Sequence, residues 1–234
     1  MEKIQNTMVM GLGTGRCGTL CLSDFMKQQP EMAVCSHEHL KWPWYAEPES
    51  ITINAVARYS AVENAVVGEV GSFLLPHVRR ISEFFRETKL IILKRDKART
   101  IQSWMGKTHR KHNYWVPHTL GIWEDDSWDH MFPKFDMERQ TKEQAISAYY
   151  DMYYEECEKL KRDYEWLEVR TEKLDDVATR RKICLFCGFD LGKCLINVPC
   201  NKNEGQKKAT PTPRFPIAPR RPRPTRVQRD FRKT

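Results

Sequence analysis

The residues from Met8 to Leu20, MVMGLGTGRCGTL, carry the most chemical content in the chain: an apolar run, four glycines within eight positions, an arginine and the start of a helix. A glycine-rich turn between a strand and a helix aims backbone N–H groups and the positive helix end at an anion. Side chains separate the anions that fit. For nucleoside triphosphate hydrolysis, Gly13 to Gly18 supplies G-x4-G, but Thr19 and Leu20 stand where Lys and Ser/Thr are required. For a dinucleotide, Gly13, Gly15 and Gly18 match G-x-G-x-x-G, and Glu38 follows the second strand where a ribose-binding acid would sit. Against this, Arg16 puts a fixed cation in a loop that ordinarily relies on backbone, and no hydride site follows downstream. The third class is a terminal anion gripped by a cation and small residues together.

Lys89 to Trp104, KLIILKRDKARTIQSW, adds a second constellation. Arg95 stands at the end of a buried strand, and Ser103 follows eight residues later on the next helix. An Arg at a strand edge and a Ser two turns into a helix are able to converge on one doubly charged anion, which takes bidentate and hydroxyl donors. The bland alternative pairs Arg95 with a neighbouring acid and turns Ser103 to solvent.

With both stretches in this order, the chain resembles the PAPS-dependent sulfotransferases, which use 3′-phosphoadenosine 5′-phosphosulfate. GTGRCGT is similar to that family's 5′-phosphosulfate loop, with Arg16, Cys17, Gly18 and Thr19 filling the positions of Lys or Arg, small residue, Gly and Thr. Arg95 and Ser103 resemble its 3′-phosphate pair. A softer likeness runs from Trp166 to Asp190, so the resemblance covers about residues 7 to 200. It implies a three-layer α/β sandwich with a central parallel sheet, of the P-loop NTPase-like kind. It also implies PAPS as co-substrate, PAP as product and in-line sulfuryl transfer to a hydroxyl or amine of a small-molecule or carbohydrate acceptor. No metal is expected. The cofactor set is Gly15, Arg16, Cys17, Gly18, Thr19, Leu20, Arg95 and Ser103, with Arg16 also stabilising charge on the leaving oxygen. In several branches the base is a Glu or His just beyond the second or third strand. Glu38 is favoured here, with His37 and His39 as alternatives and Glu69 as a reserve; a solvated polar junction is the bland reading of each. The sequence departs from the family pattern at Leu20 and Cys21, where Thr and an adenine-stacking Trp are common, and at Thr171, where a Tyr is common. The family's Arg-Lys-Gly clamp is absent, leaving Lys202, Lys207 or Lys208 to substitute.

The elements needed to position these residues are legible as alternating strands and helices, which predict a parallel sheet covered on both faces. Strands are expected at Thr7–Gly11, Glu31–Cys35, Ala65–Val70, Lys89–Leu93 and Trp166–Val169. Helices are expected at Thr19–Gln28, Glu49–Tyr59, His77–Glu87, Lys97–Lys107, from a Thr141 capping box to about Asp163, and at Leu174–Cys187 before Gly188. The Tyr-rich run from Ala148 to Tyr154 is expected to be core and sheet cover. Residues 108–140 have no clean period and are expected to be a loop-rich insertion over the acceptor site. Trp115, Trp123 and Trp128 serve there either as a stacking surface or as ordinary loop packing. The insertion's His109, His112, His118 and His130 lack ordered ligand spacing, and Cys184, Cys187, Cys194 and Cys200 lack a second CxxC, so neither set predicts a metal site.

Charge is distributed unevenly. The 234 residues carry 39 basic and 31 acidic side chains, for a net charge of +8. Residues 201–234 alone hold eleven basic residues, two acidic ones and six of the thirteen prolines. The expected organisation is a near-neutral domain, 1–200, followed by a basic Pro-rich arm, 201–234. A nucleic-acid or acidic-partner binder working through that arm is the non-enzymatic rival, and a Rossmann-type NAD(P) oxidoreductase the enzymatic one. The beginning of the chain lacks the pattern of a secretory signal, no apolar run reaches the roughly eighteen residues of a membrane span, and the eight cysteines are expected to be free thiols; together these suggest a cytoplasmic protein.

Overall fold

β1 (Ile4–Leu12) has seven consecutive buried residues, Asn6 to Leu12, and therefore no solvent face. That is the signature of a central strand covered on both sides. It belongs to a computed structural model in which residues 3–39, 42–45, 55, 57–62, 64–117, 128–136 and 141–199 are described. The other strands are β2 (Met32–His37), β3 (Val66–Val70), β4 (Phe85–Lys94) and β5 (Glu165–Arg170). All pair in parallel, in the order β2-β3-β1-β4-β5.

Alternation along β1 divides the core. Met8, Met10 and Leu12 face one layer, with α2 (Val78–Ser82), α3 (Lys97–Lys107) and α4 (Lys142–Leu160). Val9 faces the other, with α1 (Thr19–Lys27) and α5 (Val177–Cys187). This is the expected three-layer sandwich. The Thr141 capping box closes on Gln144, and Gly188, at φ +84°, ends α5.

Two expectations need correction. The apolar spacing over His77–Glu87 predicts one helix. Instead a 3-10 turn, Ser72–His77, runs into the short α2, and β4 already begins at Phe85. Pairing of Phe85 with Ile4 and Glu87 with Thr7 extends the sheet there, so tertiary pairing overrides the local period. The cysteines are not all thiols. Cys17, Cys35, Cys157, Cys184, Cys187 and Cys194 are free, whereas Cys21 is disulfide-bonded. In the expected Glu49–Tyr59 helix, the described residues Ala55 and 57–59 are helical.

The aromatics of the insertion have two readings open, a stacking surface or ordinary packing, and the described ones divide between them by burial. Trp115 and Phe132 are fully buried, with ring centroids 4.7 Å apart, and both pack on Trp104 of α3 and Tyr149 of α4. His112 pairs with Asp129, which is 1% exposed and also takes Lys134 at 3.0 Å. These side chains are core, not an open stacking surface; Trp123 and His118 lie outside the described residues. No helix among the described residues is long and apolar enough to cross a membrane.

Because Trp115 fills core volume, Trp115→Ala is expected to cost about 3–5 kcal/mol in urea unfolding. A loop residue without packing partners would change stability by less than about 0.5 kcal/mol.

Candidate functional site

The strands are parallel, so their C-terminal ends share one edge of the sheet, where ligands bind in open α/β folds. The loop from Gly13 to Gly18 leaves β1 at that edge and is held from four sides. The Gly13 N–H donates to the Tyr153 hydroxyl at 2.9 Å, and the Trp104 indole N–H donates to the Thr14 carbonyl at 3.2 Å. Arg95 Nη1 donates to the Arg16 carbonyl at 2.8 Å, and the Thr171 hydroxyl to the Cys17 carbonyl at 2.5 Å. Within the loop Gly15, Arg16 and Gly18 all have left-handed backbone, at φ +73°, +57° and +91°. Such residues turn successive N–H groups inward to make an anion-binding hollow. Gly15 is also required sterically, since a Cβ there would lie 2.7 Å from the Trp104 ring.

Arg16 is half-buried, and its Nε donates to the Ser103 hydroxyl at 3.1 Å. The fold thus brings Arg16, Arg95 and Ser103 together, although Ser103 is 87 residues from Arg16. Burial lowers the Arg16 pKa, the neighbouring Arg95 charge lowers it further, and Glu38 acts in the opposite direction. Arg16 is still a cation at neutral pH, as arginine is in proteins generally. Two like charges at one loop are costly alone and favourable around a dianion. Cys17 is fully buried and its thiol is pushed up to about 12, so it packs as a neutral group.

The four candidate bases occupy different environments. Glu38 sits at φ +49°, partly exposed, with its charge felt by Arg16, Cys17 and Tyr149. His37 Nε2 lies 3.0 Å from the Thr19 hydroxyl, so this ring is committed to the start of α1. His39 is exposed, and its backbone N–H donates to Glu69 Oε1 at 2.9 Å. Glu69 is 0% exposed and accepts from the Tyr59 hydroxyl at 2.6 Å, so its carboxyl has no face open to an acceptor.

Several contributors escape sequence reasoning. Tyr153, Tyr154 and Tyr150 of α4 bind Gly13 N–H, Leu93 carbonyl and Arg95 carbonyl respectively, so the Tyr-rich run is sheet cover that also braces the loop. Their i, i+3 and i+4 spacing places them on one face, but nothing local names their partners. A cleft of about 510 Å³ is lined by Asp96, Arg99, Arg170, Glu172 and Lys173. Arg99 stands one turn before Ser103 on α3, which is its only sequence signal. Thr171 ties β5 to the loop. Leu20 is half-buried at the start of α1. Lys202, Lys207 and Lys208 lie outside the described residues, as does the whole 201–234 arm. No group of three or more His, Cys, Asp or Glu side chains placed to hold a metal occurs among the described residues.

No protein-family model matches the chain, and no curated protein matches it. Among solved structures it is similar to the sulfotransferase domain of the Synechococcus PCC 7002 olefin synthase. The TM-score is 0.52 at 16% identity, covering 81% of this chain and 75% of that one. Mouse sulfotransferase SULT7A1 complexed with PAP gives 0.49 at 14% identity, covering 80% of this chain and 60% of that one. The sulfotransferase domain from the curacin biosynthetic pathway gives 0.45 at 10%, covering 81% and 76%. The fold is that of a sulfotransferase domain. In the classical dinucleotide fold β2 lies beside β1; here β3 lies between them.

Burial, aided by the charge of Lys27, holds His37 below its ordinary 6.5, so the folded state favours the neutral ring. Its contribution to stability is complete above the unfolded value and is lost as pH falls through the lower folded value. Thermal midpoints between about pH 7 and 5 should therefore fall less steeply in His37→Gln than in the parent. Equal slopes would show that the ring does not titrate with folding.

Proposed function

We propose that this chain transfers a sulfuryl group from PAPS to a hydroxyl or amine of a small-molecule or carbohydrate acceptor, releasing PAP. The observation that carries this reading is the meeting of Arg16, Arg95 and Ser103 at a loop with left-handed backbone at Gly15, Arg16 and Gly18. This donor set suits an anionic ligand, and the resemblance to the sulfotransferases makes that ligand PAPS. PAPS supplies an activated sulfuryl group and a phosphate leaving group. Gly15 to Leu20 would hold the phosphosulfate end, with Arg16 placed to stabilise charge on the leaving oxygen. Arg95 and Ser103 would hold the 3′-phosphate. Arg99, Arg170 and Lys173 in the cleft would add positive field, and Lys202 would stand in for the missing basic clamp.

Glu38 is the proposed base. The acceptor oxygen or nitrogen attacks sulfur in line, the bond from sulfur to the phosphate oxygen breaks, and the acceptor proton passes to Glu38. His37 acts through Thr19, and His39 through its backbone. The packed insertion covers the core on the same side as α3 and α4, consistent with an acceptor approaching along its rim.

Thermal shift with PAP, NADPH and ATP tests the ligand class. At a hundredfold excess over its dissociation constant PAP should stabilise by about 2.7 kcal/mol, and NADPH and ATP by less. Arg95→Ala should weaken PAP by roughly 10- to 100-fold, the loss expected for a charged hydrogen-bonding partner. No PAP stabilisation, or an unchanged response in Arg95→Ala, would refute the assignment.

The base has a separate test. Transfer from labelled PAPS by Glu38→Gln should drop by about 10²- to 10⁴-fold while PAP binding survives. Normal turnover would exclude Glu38.

A further inference from the structure

A carboxyl buried inside a sheet is expensive unless its oxygens are satisfied. Glu69 lies in register with Met10 of β1 and Ser36 of β2, one residue before the end of β3, and is fully buried. Its Oε2 accepts from the Tyr59 hydroxyl at 2.6 Å and its Oε1 from the His39 N–H at 2.9 Å. Burial pushes its pKa up, while those two hydrogen bonds and the nearby Arg58 draw it down. Arg58 is itself fixed on the Ser36 hydroxyl through both Nε and Nη2. Tyr59, its own pKa raised by burial and by Glu69, keeps its proton and donates a hydrogen bond to the carboxyl oxygen.

The geometry of the neighbouring turn shows what this arrangement supports. Glu38 has φ +49°, a left-handed conformation that costs a residue with a side chain about 1 kcal/mol or more. Such a residue persists only where its surroundings over-determine it. Here they do so through three consecutive residues. Glu69 binds the N–H of His39, the Val70 carbonyl accepts the N–H of Glu38 at 3.0 Å, and Gly71 leaves space under the Glu38 stem. A Cβ on Gly71 would lie 3.2 Å from Glu38 Cγ. The end of β3 is a mould for the Glu38 turn, and the Glu69 carboxyl is the side chain of it that reaches the turn's backbone.

We infer that Glu69, paired with Tyr59, is a positioning residue: it holds the left-handed turn that points Glu38 toward the loop, and it accepts no proton from the acceptor. This rests on the reading of Glu38 as base, and it assigns Glu69 a task distinct from the reserve base that its position after β3 suggests. Glutamine can keep the His39 contact, because its carbonyl also accepts. Alanine cannot. Tyr59→Phe removes one partner of the carboxylate and leaves the other.

The test uses isotope-labelled full-length chain as parent, Glu69→Gln, Glu69→Ala and Tyr59→Phe. Amide exchange at His39, the carboxyl resonance of Glu38 and PAP affinity are measured on each. Loss of one charged hydrogen bond predicts His39 exchange roughly 10- to 100-fold faster in Glu69→Ala. The Glu38 resonance should move in that variant and return toward the parent in Glu69→Gln. PAP affinity should stay near the parent value in all three, because the loop's own contacts are intact. With labelled PAPS, kcat should fall in Glu69→Ala without a change in KM for PAPS, and Glu69→Gln should restore most of it. The inference is overturned if Glu69→Gln is as inactive as Glu69→Ala, which would make Glu69 the base, or if the His39 and Glu38 signals do not respond to Glu69→Ala. Failure of the parent to bind PAP would count against the proposed function instead, and the exchange comparison would still decide the role of Glu69 in the turn.

Discussion

Arg95 donates to a backbone carbonyl, and the carbonyl belongs to Arg16, another arginine. The guanidinium at the end of β4 thereby fixes the peptide that carries the second guanidinium, and Ser103 fixes that second side chain in turn. The rest of the edge serves this arrangement. Tyr150 holds the carbonyl of Arg95, Tyr153 the first N–H of the loop, and Trp104 the carbonyl of Thr14. Without such bracing two cations would separate to reduce their repulsion. The aromatic layer is thus coupled to the electrostatics, because the insertion's Trp115 and Phe132 pack around Trp104 and keep its indole aimed at the loop.

The scale of charge matters here. The chain's +8 suggests attraction to polyanions at large, yet it resides in residues 201–234, while residues 1–200 contain 28 basic and 29 acidic side chains. An anion site in a near-neutral body is made by local donors in a partly desolvated setting, where each is worth more than at the surface. Arg16 and Arg95 meet that description.

Legibility in the sequence followed locality. The loop could be read from Gly13 to Thr19 because turn, cation and helix start are adjacent, and Arg95 with Ser103 because eight residues fix their relation on a strand and the following helix. The parallel sheet followed from alternating patterns. What escaped depends on long separations. Tyr153 and Gly13 are 140 residues apart, Thr171 and Cys17 are 154, and no periodicity announces either contact. Phe85 to Glu87 has helical spacing that only pairing with β1 overrides. The insertion's aromatics have the composition of a binding surface, and only their burial shows them to be core. Among the base candidates, sequence proximity grouped His37, Glu38 and His39, and the fold places them in different environments.

The same long separations bear on how the protein comes into being. A loop near the start of the chain is tied by hydrogen bonds to Tyr153 and Thr171, so closing it requires most of the polypeptide to be present and the entropy of very long chain closures to be met. Contacts of this range slow folding and form late relative to local helices. During synthesis, α1 and the glycine turn emerge well before α4 and β5 exist to hold them. An early fragment therefore contains every residue of the loop and lacks its shape, which arrives with the completed sheet as a mark of finished folding.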